Sequence, residues 1–327
     1  MDNVIARCAA AGKTNKVEGS LVKCEVKLES GEWISPDSCK TFYINEDAQF
    51  PDITYEIKTN LPGPYEWSWH ITWTGLACKQ STGHKRFKQD AGPLPAFVKR
   101  GSFKSDSKKW KADLGGVFGG TLTVKVKAGG TTFARTTFIR GKNPGKEKVQ
   151  AYLDANWKDK HDLALIKKIF QQESHYRQFY SDEQPLVSHD NGYGIGQVTN
   201  PRPSYADAWN WKEHVKTVMN KFLPEKRRLA RNHFEKIGCG TLYTQEQYDN
   251  ETAAFYNGAR RFYESWDAKT KTLQENTTLI CDPNSNSSWK KADYPDETAK
   301  ELLKENVKSK SAGYCYTKHI IAEQGGF

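Results

Sequence analysis

The sequence predicts a multidomain chain in which an all-β sandwich over residues 1–142 precedes an α-helical domain over residues 148–327. Three observations predict this order. Apolar and polar residues alternate with a period of two in the first part, apolar residues recur at intervals of three and four in the second, and turn-forming residues separate the two. The 327 residues are enough for each part to bury a core of its own.

Three segments of the first part alternate as half-buried strands do: 22–28, 65–73 and 122–127. From Tyr65 to Trp73 every odd position is large and apolar. The third segment runs into Ala-Gly-Gly-Thr at 128–131, whose glycines predict a tight hairpin, and then into a Thr- and Phe-rich strand. Several short strands with polar turns between them are typical of an immunoglobulin-like sandwich. Two basic stretches, 83–88 and 104–111, are predicted in its loops, either solvated or as a polyanion site.

The predicted boundary is the segment 141–146, Gly-Lys-Asn-Pro-Gly-Lys, which has turn formers and no apolar side chain. Its glycine spacing is one residue short for a phosphate-binding loop, and Glu147 stands where such a loop needs Ser or Thr. The segment is therefore predicted to be a linker.

Helical spacing follows this linker. Leu163, Ile166, Ile169 and Phe170 fall at intervals of three and four. Capping-box spacing at 210–213 and 244–247 predicts two more helix starts. A last helix is predicted over 296–307, after a polar surface loop over 276–294.

Charge and hydropathy narrow the possible partners. The net charge of +10 favours a polyanion, which could be nucleic acid, an anionic lipid surface or a carboxylate-rich cell wall. No helix-turn-helix, zinc-finger or RNA-binding signature is present, so nucleic acid is not the predicted partner. No run of about 18 apolar residues is present either, so no membrane span is predicted. The first residues lack the basic start and long apolar core of a Sec signal peptide.

The 7 cysteines show no C-x-x-C pair. Zinc ribbons and thioredoxin-like motifs are therefore not predicted. The scattered spacing fits a few disulfides in an oxidising compartment, with at least one thiol left over because the count is odd. Buried free thiols fit the same positions.

Glu173 occupies an unusual position for a carboxylate. It follows Phe170 by three residues and Ile169 by four, on the same face as the apolar stripe of the first predicted helix. Its side chain is expected to face the core or a cleft wall, where loss of water favours the protonated form. A glutamic acid whose pKa rises from about 4.3 towards about 6 can donate a proton at neutral pH. A helix-end glutamate that turns to solvent or caps a neighbour fits the same spacing.

Two later segments accompany this glutamate. Residues 190–198 read Asp-Asn-Gly-Tyr-Gly-Ile-Gly-Gln-Val, and their alternate glycines would let the backbone approach a ligand closely. The spacing is not that of a nucleotide-binding loop. Residues 253–258, Ala-Ala-Phe-Tyr-Asn-Gly, place Tyr256 and Asn257 side by side at a predicted helix end. Each segment alone also fits an ordinary turn or helix end.

Taken in order, the three segments resemble the motifs of the soluble lytic transglycosylases, a lysozyme-like family of peptidoglycan enzymes. That family carries Glu-Ser at a helix end, then Gly-Leu-Met-Gln, then Ala-Tyr-Asn. Here the matching segments are Glu173-Ser174, Gly194-Ile195-Gly196-Gln197 and Ala254-Phe255-Tyr256-Asn257, within residues 148–327. The chain departs from the family at Gly196, which replaces a Met that lines the sugar groove, and at the extra Phe255.

The resemblance implies a lysozyme-like fold and a reaction that uses one carboxylate. Glu173 would protonate the glycosidic oxygen between N-acetylmuramic acid and N-acetylglucosamine, and the substrate's acetamido oxygen would stabilise the cationic centre. Glu173 would then take the proton of the muramyl 6-hydroxyl, which closes a 1,6-anhydro ring. The resemblance implies that this reaction consumes no water and needs no metal or cofactor.

The resemblance also implies roles for the residues around Glu173. Tyr256 would hydrogen-bond the Glu173 carboxyl, Gln197 and Asn257 would bind acetamido or hydroxyl groups, and Ser174 would position the substrate. For Ser174 and Asn257 a structural hydrogen bond is an equal alternative. The full substrate-binding set implied is Ser174, Gly194, Ile195, Gln197, Tyr256 and Asn257.

Two other functions fit the same motifs. A conventional hydrolase would need a second carboxylate, for which Asp182, Glu183 and Asp190 are the candidates. A non-catalytic cell-wall binder would keep the groove without the chemistry.

The expected partner is the peptidoglycan glycan strand. A β-domain ahead of a transglycosylase resembles antibacterial effectors delivered by machines such as type VI secretion, and also phage-associated lysins. Such a protein would be secreted without a Sec signal peptide and act in the periplasm or cell wall of a target bacterium. Its producer would carry a cognate inhibitor that plugs the groove, and its N-terminal domain would contact a component of the secretion apparatus.

Overall fold

The computed structural model describes residues 29–75, 94–181, 183–188, 191–258, 262–281, 287–290, 310–311 and 313–322. A β-rich N-terminal region precedes a region of helices and short strands. The strands are β1 (Trp33–Ser35), β2 (Thr41–Ile44), β3 (Thr54–Ile57), β4 (Tyr65–Trp73), β5 (Phe97–Ser105), β6 (Lys109–Lys111), β7 (Gly120–Ala128), β8 (Thr131–Gly141), β9 (Glu264–Asp267), β10 (Thr272–Glu275), β11 (Leu279–Cys281), β12 (Ser287–Lys290) and β13 (Lys310–Ser311). The helices are α1 (Lys146–Asn156), α2 (Lys160–Ser174), α3 (Tyr205–Trp209), α4 (Trp211–Thr217), α5 (Leu223–Lys236), α6 (Gln245–Tyr256) and α7 (Gly313–Ile321), with a π-helical turn (Val218–Phe222) before α5.

The first eight strands form two sheets. One has five strands in the order β2-β8-β7-β4-β5, and the other has three in the order β1-β3-β6. In the larger sheet β2 runs parallel to β8, while the other neighbours are antiparallel. The predicted hairpin is confirmed: Ala128 pairs with Thr131, and Gly129 and Gly130 adopt φ of 50° and 82°.

Strand β4 has the predicted alternation. Its odd-numbered residues from Tyr65 to Trp73 are buried, whereas Glu66 is exposed. The same alternation in β7 buries Leu122, Val124 and Val126 completely. These two strands therefore present an apolar face to the core and a polar face to the outside.

The core of the larger sheet continues into the helical region. The Trp73 ring packs edge-on against Trp209 and Tyr193, with ring centroids 5.5 and 6.3 Å apart. Its indole nitrogen donates to the Gln184 side-chain oxygen at 3.1 Å. A Cβ on Gly119 would lie 2.0 Å from the Trp209 ring, so the backbone and the ring are in close contact. The β region thus packs directly on the segment that follows α2.

The change from strand to helix falls in the predicted segment, because β8 ends at Gly141 and α1 begins at Lys146. The segment packs against the chain after α2. The Asn143 side-chain oxygen accepts from the backbone N–H groups of Gln178 and Phe179, both at 2.8 Å. These bonds hold the start of the helical region against the residues that follow Glu173.

Helix α2 carries the predicted apolar stripe. Ile166, Ile169 and Phe170 are completely buried. The helix ends at Ser174, and His175 adopts a left-handed φ of 55° that turns the chain away. The stripe therefore directs the last turn of α2 into the core.

The predicted helix starts are also confirmed. The Asn210 side chain accepts from the first-turn N–H groups of α4, and Thr244 with Gln247 forms a complete capping box on α6. None of the described helices has the length and apolar content needed to cross a membrane.

Two loop predictions are wrong in part. Strands β11 and β12 pair antiparallel within the predicted loop 276–294, because tertiary pairing overrides the low strand propensity of Asn and Ser. Most of the basic stretch 104–111 belongs to β5 and β6 rather than to a loop. The predicted strand 22–28, basic stretch 83–88 and helix 296–307 lie outside the described residues.

Candidate active site

Glu173 is buried at the end of α2. Only 6% of its surface is exposed, as its place on the apolar stripe predicted. Helix α2 contacts α6 and α7 at this end. These two helices each contribute one buried tyrosine to the surroundings of the carboxyl, Tyr256 and Tyr316.

Tyr256 lies close to Glu173 but donates its proton elsewhere. Its hydroxyl donates to the Gly196 carbonyl at 2.6 Å. Burial, and then the nearby Glu173 charge, raise the pKa of Tyr256 well above its usual 10.0. Tyr256 therefore acts on Glu173 through space, and not through the donated hydrogen bond that the family resemblance implied.

Tyr316, on α7, is a second tyrosine beside Glu173, and no motif in the sequence marks it. It is 1% exposed. Burial, and then the Glu173 charge, raise the pKa of Tyr316 well above 10.0. The nearby Tyr256 and a side-chain contact with the Glu173 carboxyl raise it further, so Tyr316 lies directly against Glu173.

The predicted glycine-rich segment forms a turn that three helices hold beside Glu173. From α2, the Ser174 hydroxyl donates to the Ile195 carbonyl at 2.8 Å. From α6, Tyr256 donates to the Gly196 carbonyl. From α4, the His214 Nε2 accepts the Gly196 N–H at 3.0 Å. Direct hydrogen bonds thus join all three sequence motifs, and the Ser174 hydroxyl has a structural partner.

His214 is another residue that sequence reasoning missed. It is completely buried, and burial lowers its pKa to about 4, although Asp207 opposes the shift. The imidazole is therefore neutral at pH 7. Because Nε2 accepts a hydrogen bond, the ring proton must lie on Nδ1. His214 holds the Gly196 amide in place.

The first half of the turn is held by Gln178, which is completely buried. Its side-chain oxygen accepts the Ile195 N–H at 3.2 Å, and its nitrogen donates to the Asp207 and Ala208 carbonyls. Gly194 has φ of 61°, and a Cβ there would lie 2.5 Å from the Gln178 side-chain oxygen. Only glycine fits this position.

Gln197 closes the turn. Its side-chain nitrogen donates to the Gly194 carbonyl at 2.7 Å. Its side-chain oxygen is buried and has no hydrogen-bond partner among the described residues. This oxygen is an acceptor that a bound molecule could use.

Unlike Ser174 and Tyr256, Asn257 does not hydrogen-bond to the 194–197 turn among the described residues. It caps the end of α6 and is half-buried, and its N–H donates to the Ala253 carbonyl at 3.3 Å.

Of the three candidates for a second carboxylate, the structure describes only Glu183. The Glu183 carbonyl accepts the Gly141 N–H at 2.9 Å. Its carboxylate lies beside Tyr43, whose pKa is raised by burial and then by the Glu183 charge. Glu183 therefore interacts with the β region. Asp182 and Asp190 lie outside the described residues.

Three cysteines in the described part of the chain fall into two states. Cys39 and Cys315 are disulfide-bonded, whereas Cys239 is free and buried. Burial raises the pKa of the Cys239 thiol. A thiol with a raised pKa is a poor nucleophile, so Cys239 is not a candidate for catalysis.

Within the described part of the chain, no group of three or more His, Cys, Asp or Glu side chains could hold a metal ion. Comparison with known proteins identifies no relative: no family model, no curated protein and no solved structure matches the chain. A functional assignment therefore rests on the arrangement around Glu173.

Proposed function

We propose that this protein is a peptidoglycan lytic transglycosylase whose helical region is lysozyme-like. The observation that carries the proposal is the burial of Glu173 beside the 194–197 turn and Tyr256. This is the combination of residues that the family resemblance names, and here it comes from three separate segments of the chain. The activity is cleavage of the β-1,4 bond between N-acetylmuramic acid and N-acetylglucosamine.

In the proposed reaction Glu173 acts first as acid and then as base. Its proton passes to the glycosidic oxygen as the bond from that oxygen to the muramyl C1 breaks. The substrate's acetamido carbonyl oxygen stabilises the cationic C1. The muramyl 6-hydroxyl oxygen then bonds to C1, and its proton returns to Glu173. Atoms balance without water, and the products are N-acetylglucosamine and 1,6-anhydro-N-acetylmuramic acid ends.

The neighbouring tyrosines suit this role for Glu173. The pKa values of Tyr256 and Tyr316 are both raised well above 10.0, so neither phenol exchanges its proton near neutral pH. Glu173 then remains the group that can do so. The Gln197 side-chain oxygen, which has no hydrogen-bond partner among the described residues, would accept a hydrogen bond from a sugar hydroxyl or an acetamido N–H. Asn257 is proposed to bind similar groups from the end of α6.

A hydrolase is the alternative for the same site. It requires a second carboxylate about 5–10 Å from the first. Of the three candidates, Glu183 interacts with Tyr43 in the β region, and Asp182 and Asp190 lie outside the described residues. The two reactions differ in product mass, because hydrolysis adds one water.

The test is digestion of purified peptidoglycan followed by mass spectrometry of the released muropeptides. We expect the wild-type protein to release 1,6-anhydro products. The Glu173→Gln variant should release none, a loss of at least about 10³-fold, because it cannot donate the proton. Glu183→Gln is the matched control and should keep the wild-type products.

Circular dichroism must show that both variants fold. Products one water heavier in the wild type would indicate hydrolysis, and unchanged release by Glu173→Gln would rule out Glu173 as the acid.

We further propose that the β region is an immunoglobulin-like sandwich and that the protein is an antibacterial effector acting in the periplasm. Two β sheets that share one core support the first point. Disulfides at Cys39 and Cys315 support an oxidising compartment. A cognate inhibitor that covers Glu173, and a secretion component that binds the β region, are the partners this role needs. Expression directed to the periplasm of a test bacterium should lyse it, while cytoplasmic expression should not.

A further inference from the structure

The outward face of β4, β5 and β7 is positively charged and rich in hydroxyl groups. Strand register places twelve side chains on it. They are Glu66, Ser68, His70, Thr72, Val98, Arg100, Ser102, Lys104, Thr121, Thr123, Lys125 and Lys127. We call this set the outer basic face. It contains four Lys or Arg residues and one acid, and Val98 is its one large apolar side chain.

The single acid leaves most of the positive charge uncompensated. Glu66 pairs with Lys104, with 2.8 Å between nitrogen and oxygen. Neither Arg100 nor Lys125 forms an ion pair among the described residues. Within the described residues, the centre of the face therefore carries two cations without a paired acid.

Arg100 and Lys125 lie on either side of strand β4, near His70. His70 pairs across the strands with Arg100 on one side and Thr123 on the other, and Lys125 lies one pair further along. Burial lowers the pKa of His70, and the charges of Lys125 and Arg100 lower it further. Both cations thus act on the same place, where an anion would be attracted.

The spacing of this face fits a chain that carries repeated anionic groups. Strands lie about 4.8 Å apart and alternate residues about 6.7 Å apart, so Arg100 and Lys125 are separated by roughly 12 Å. Ser68 and His70 of β4 lie between them. The outer basic face has no Phe, Tyr or Trp, the side chains on which nucleic-acid surfaces most often stack bases. Recognition here would rest on charge and hydroxyl groups.

We propose that the outer basic face is a docking surface for the carboxylates of peptidoglycan stem peptides. The proposal builds on the proposed function, since it gives the same polymer a second contact away from Glu173. A second contact holds the cleaved strand near the enzyme and raises the effective concentration of further bonds. Because the contact is ionic, binding should weaken as salt is added.

The test uses the full-length protein with Glu173→Gln, so that the wall is not digested. Co-sedimentation with purified peptidoglycan sacculi measures Kd at several salt concentrations. Adding Arg100→Ser and Lys125→Ser should raise Kd on the order of fivefold and flatten its salt dependence. The matched control, Lys158→Ser with Lys269→Ser, removes the same charge from exposed sites elsewhere and should leave Kd unchanged.

Chemical treatment of the sacculi separates the possible ligands. Amidation of the stem-peptide carboxylates should abolish the difference between the Arg100 and Lys125 variant and its control. Binding that survives amidation but disappears when phosphate polymers are stripped would overturn the carboxylate assignment. Two results together would assign the face to nucleic acid instead. These are tight binding to duplex DNA that depends on Arg100 and Lys125, and sacculus binding that neither treatment changes.

If both double variants raised Kd by the same factor, the effect would come from the net charge of the protein and not from this face. That result would reject the proposal. The product analysis of the Glu173 variant does not depend on this outcome, because it measures cleavage and not wall affinity. With the catalytic Glu173 intact, the Arg100 and Lys125 variant should still release anhydro products from short soluble glycans. The failure of one proposal is therefore distinguishable from the failure of the other.

Discussion

At Gly196 the backbone occupies space that a side chain would need. A Cβ there would lie 2.7 Å from a Val218 methyl carbon, 3.0 Å from the Tyr256 hydroxyl and 3.3 Å from the His214 Nε2. The methionine that the family carries at this position has no room. Two of these neighbours also hydrogen-bond the Gly196 backbone, so the crowding is part of how the turn is held.

Gly196→Ala should therefore destabilise the protein. We expect a loss of about 1–3 kcal/mol in the free energy of unfolding, because an inserted methyl group must displace packed neighbours. Chemical denaturation measures it, and the release of anhydro products should fall in parallel as the turn moves.

Gly145→Ala makes the same chemical change at a site with space. A Cβ there would meet only a Glu147 side-chain oxygen at 3.5 Å. Because Gly145 is the N-cap of α1, where Ala is less favourable than Gly, we expect a loss of roughly 0.5 kcal/mol. Equal losses in the two variants would contradict the crowding at Gly196.

Sequence spacing predicted some of these residues and not others. Glu173 could be found because its position on a helical stripe determines which way it faces. Tyr316 and His214 could not, since no local pattern connects them to Glu173 or to the turn. Their roles come from how α4 and α7 pack around α2 and α6.

At the scale of elements, Arg227 joins three helices. From α5, its guanidinium donates to Asp162 on α2 at 2.7 Å and to Asp249 on α6 at 2.5 Å. It also donates to the Thr252 hydroxyl and lies over the Tyr248 ring. Arg227 is 9% exposed, so these charges are largely removed from water. The helix that carries Glu173 is thereby bound to the helix that carries Tyr256.

Arg227→Met should loosen this contact between helices. Removing one partner of a buried ion pair costs about 3–5 kcal/mol. We expect the lower end, because the Asp162 and Asp249 side chains are 31% and 21% exposed. Thermal or urea unfolding measures the loss.

The neighbouring Arg228 provides the control. It pairs with Glu225 on the same helix in an exposed i,i+3 pair. Arg228→Met should leave the unfolding midpoint almost unchanged, since exposed pairs contribute little. A shift as large as that of Arg227→Met would indicate a general effect of charge.

At the scale of the whole molecule, a group of buried ionisable side chains links stability to pH. Burial raises the pKa of Glu251 to about 8 and that of Glu264 to about 7. Burial, and then Lys236, lower the pKa of His233 to about 4. Glu251 accepts the N–H groups of Tyr263 and Glu264 at 3.0 and 2.9 Å, which ties α6 to β9.

The two kinds of shift act in opposite directions. A carboxyl with a raised pKa binds its proton more tightly when folded, so its contribution is complete below about pH 4.5 and is lost as pH rises through the folded pKa. A histidine with a lowered pKa makes its full contribution to the free energy of unfolding above about pH 6.5. That contribution is lost as pH falls through the folded pKa. Above pH 6.5 only the carboxyl effect remains.

We therefore expect the free energy of unfolding to fall between pH 6.5 and 8. Each such carboxyl contributes a slope of up to about 1.4 kcal/mol per pH unit. Glu251→Gln keeps an acceptor oxygen but cannot ionise, so most of the decline between pH 7 and 8 should disappear and only the smaller part due to Glu264 should remain. Urea unfolding at half-unit pH steps measures it.

Glu235→Gln, on the exposed side of α5, is the control and should keep the decline. Stability that is flat from pH 6.5 to 8 in the wild type would mean that Glu251 ionises with an ordinary pKa when folded.

The sequence by itself determined the change from a β-rich to a helical region, the strands β4, β7 and β8, the β7–β8 hairpin, two helix starts and the burial of Glu173. These depend on side-chain periodicity and on turn or cap chemistry, which act between residues close in the chain. It also predicted loop where β11 and β12 pair, because pairing between separate strands outweighs local propensity. Only the tertiary structure decided that Tyr256 donates to Gly196, that Tyr316 faces Glu173, and that Arg100 of β5 and Lys125 of β7 flank β4 near His70. Contacts between distant segments depend on how packed elements fill one core, and no local pattern contains that information.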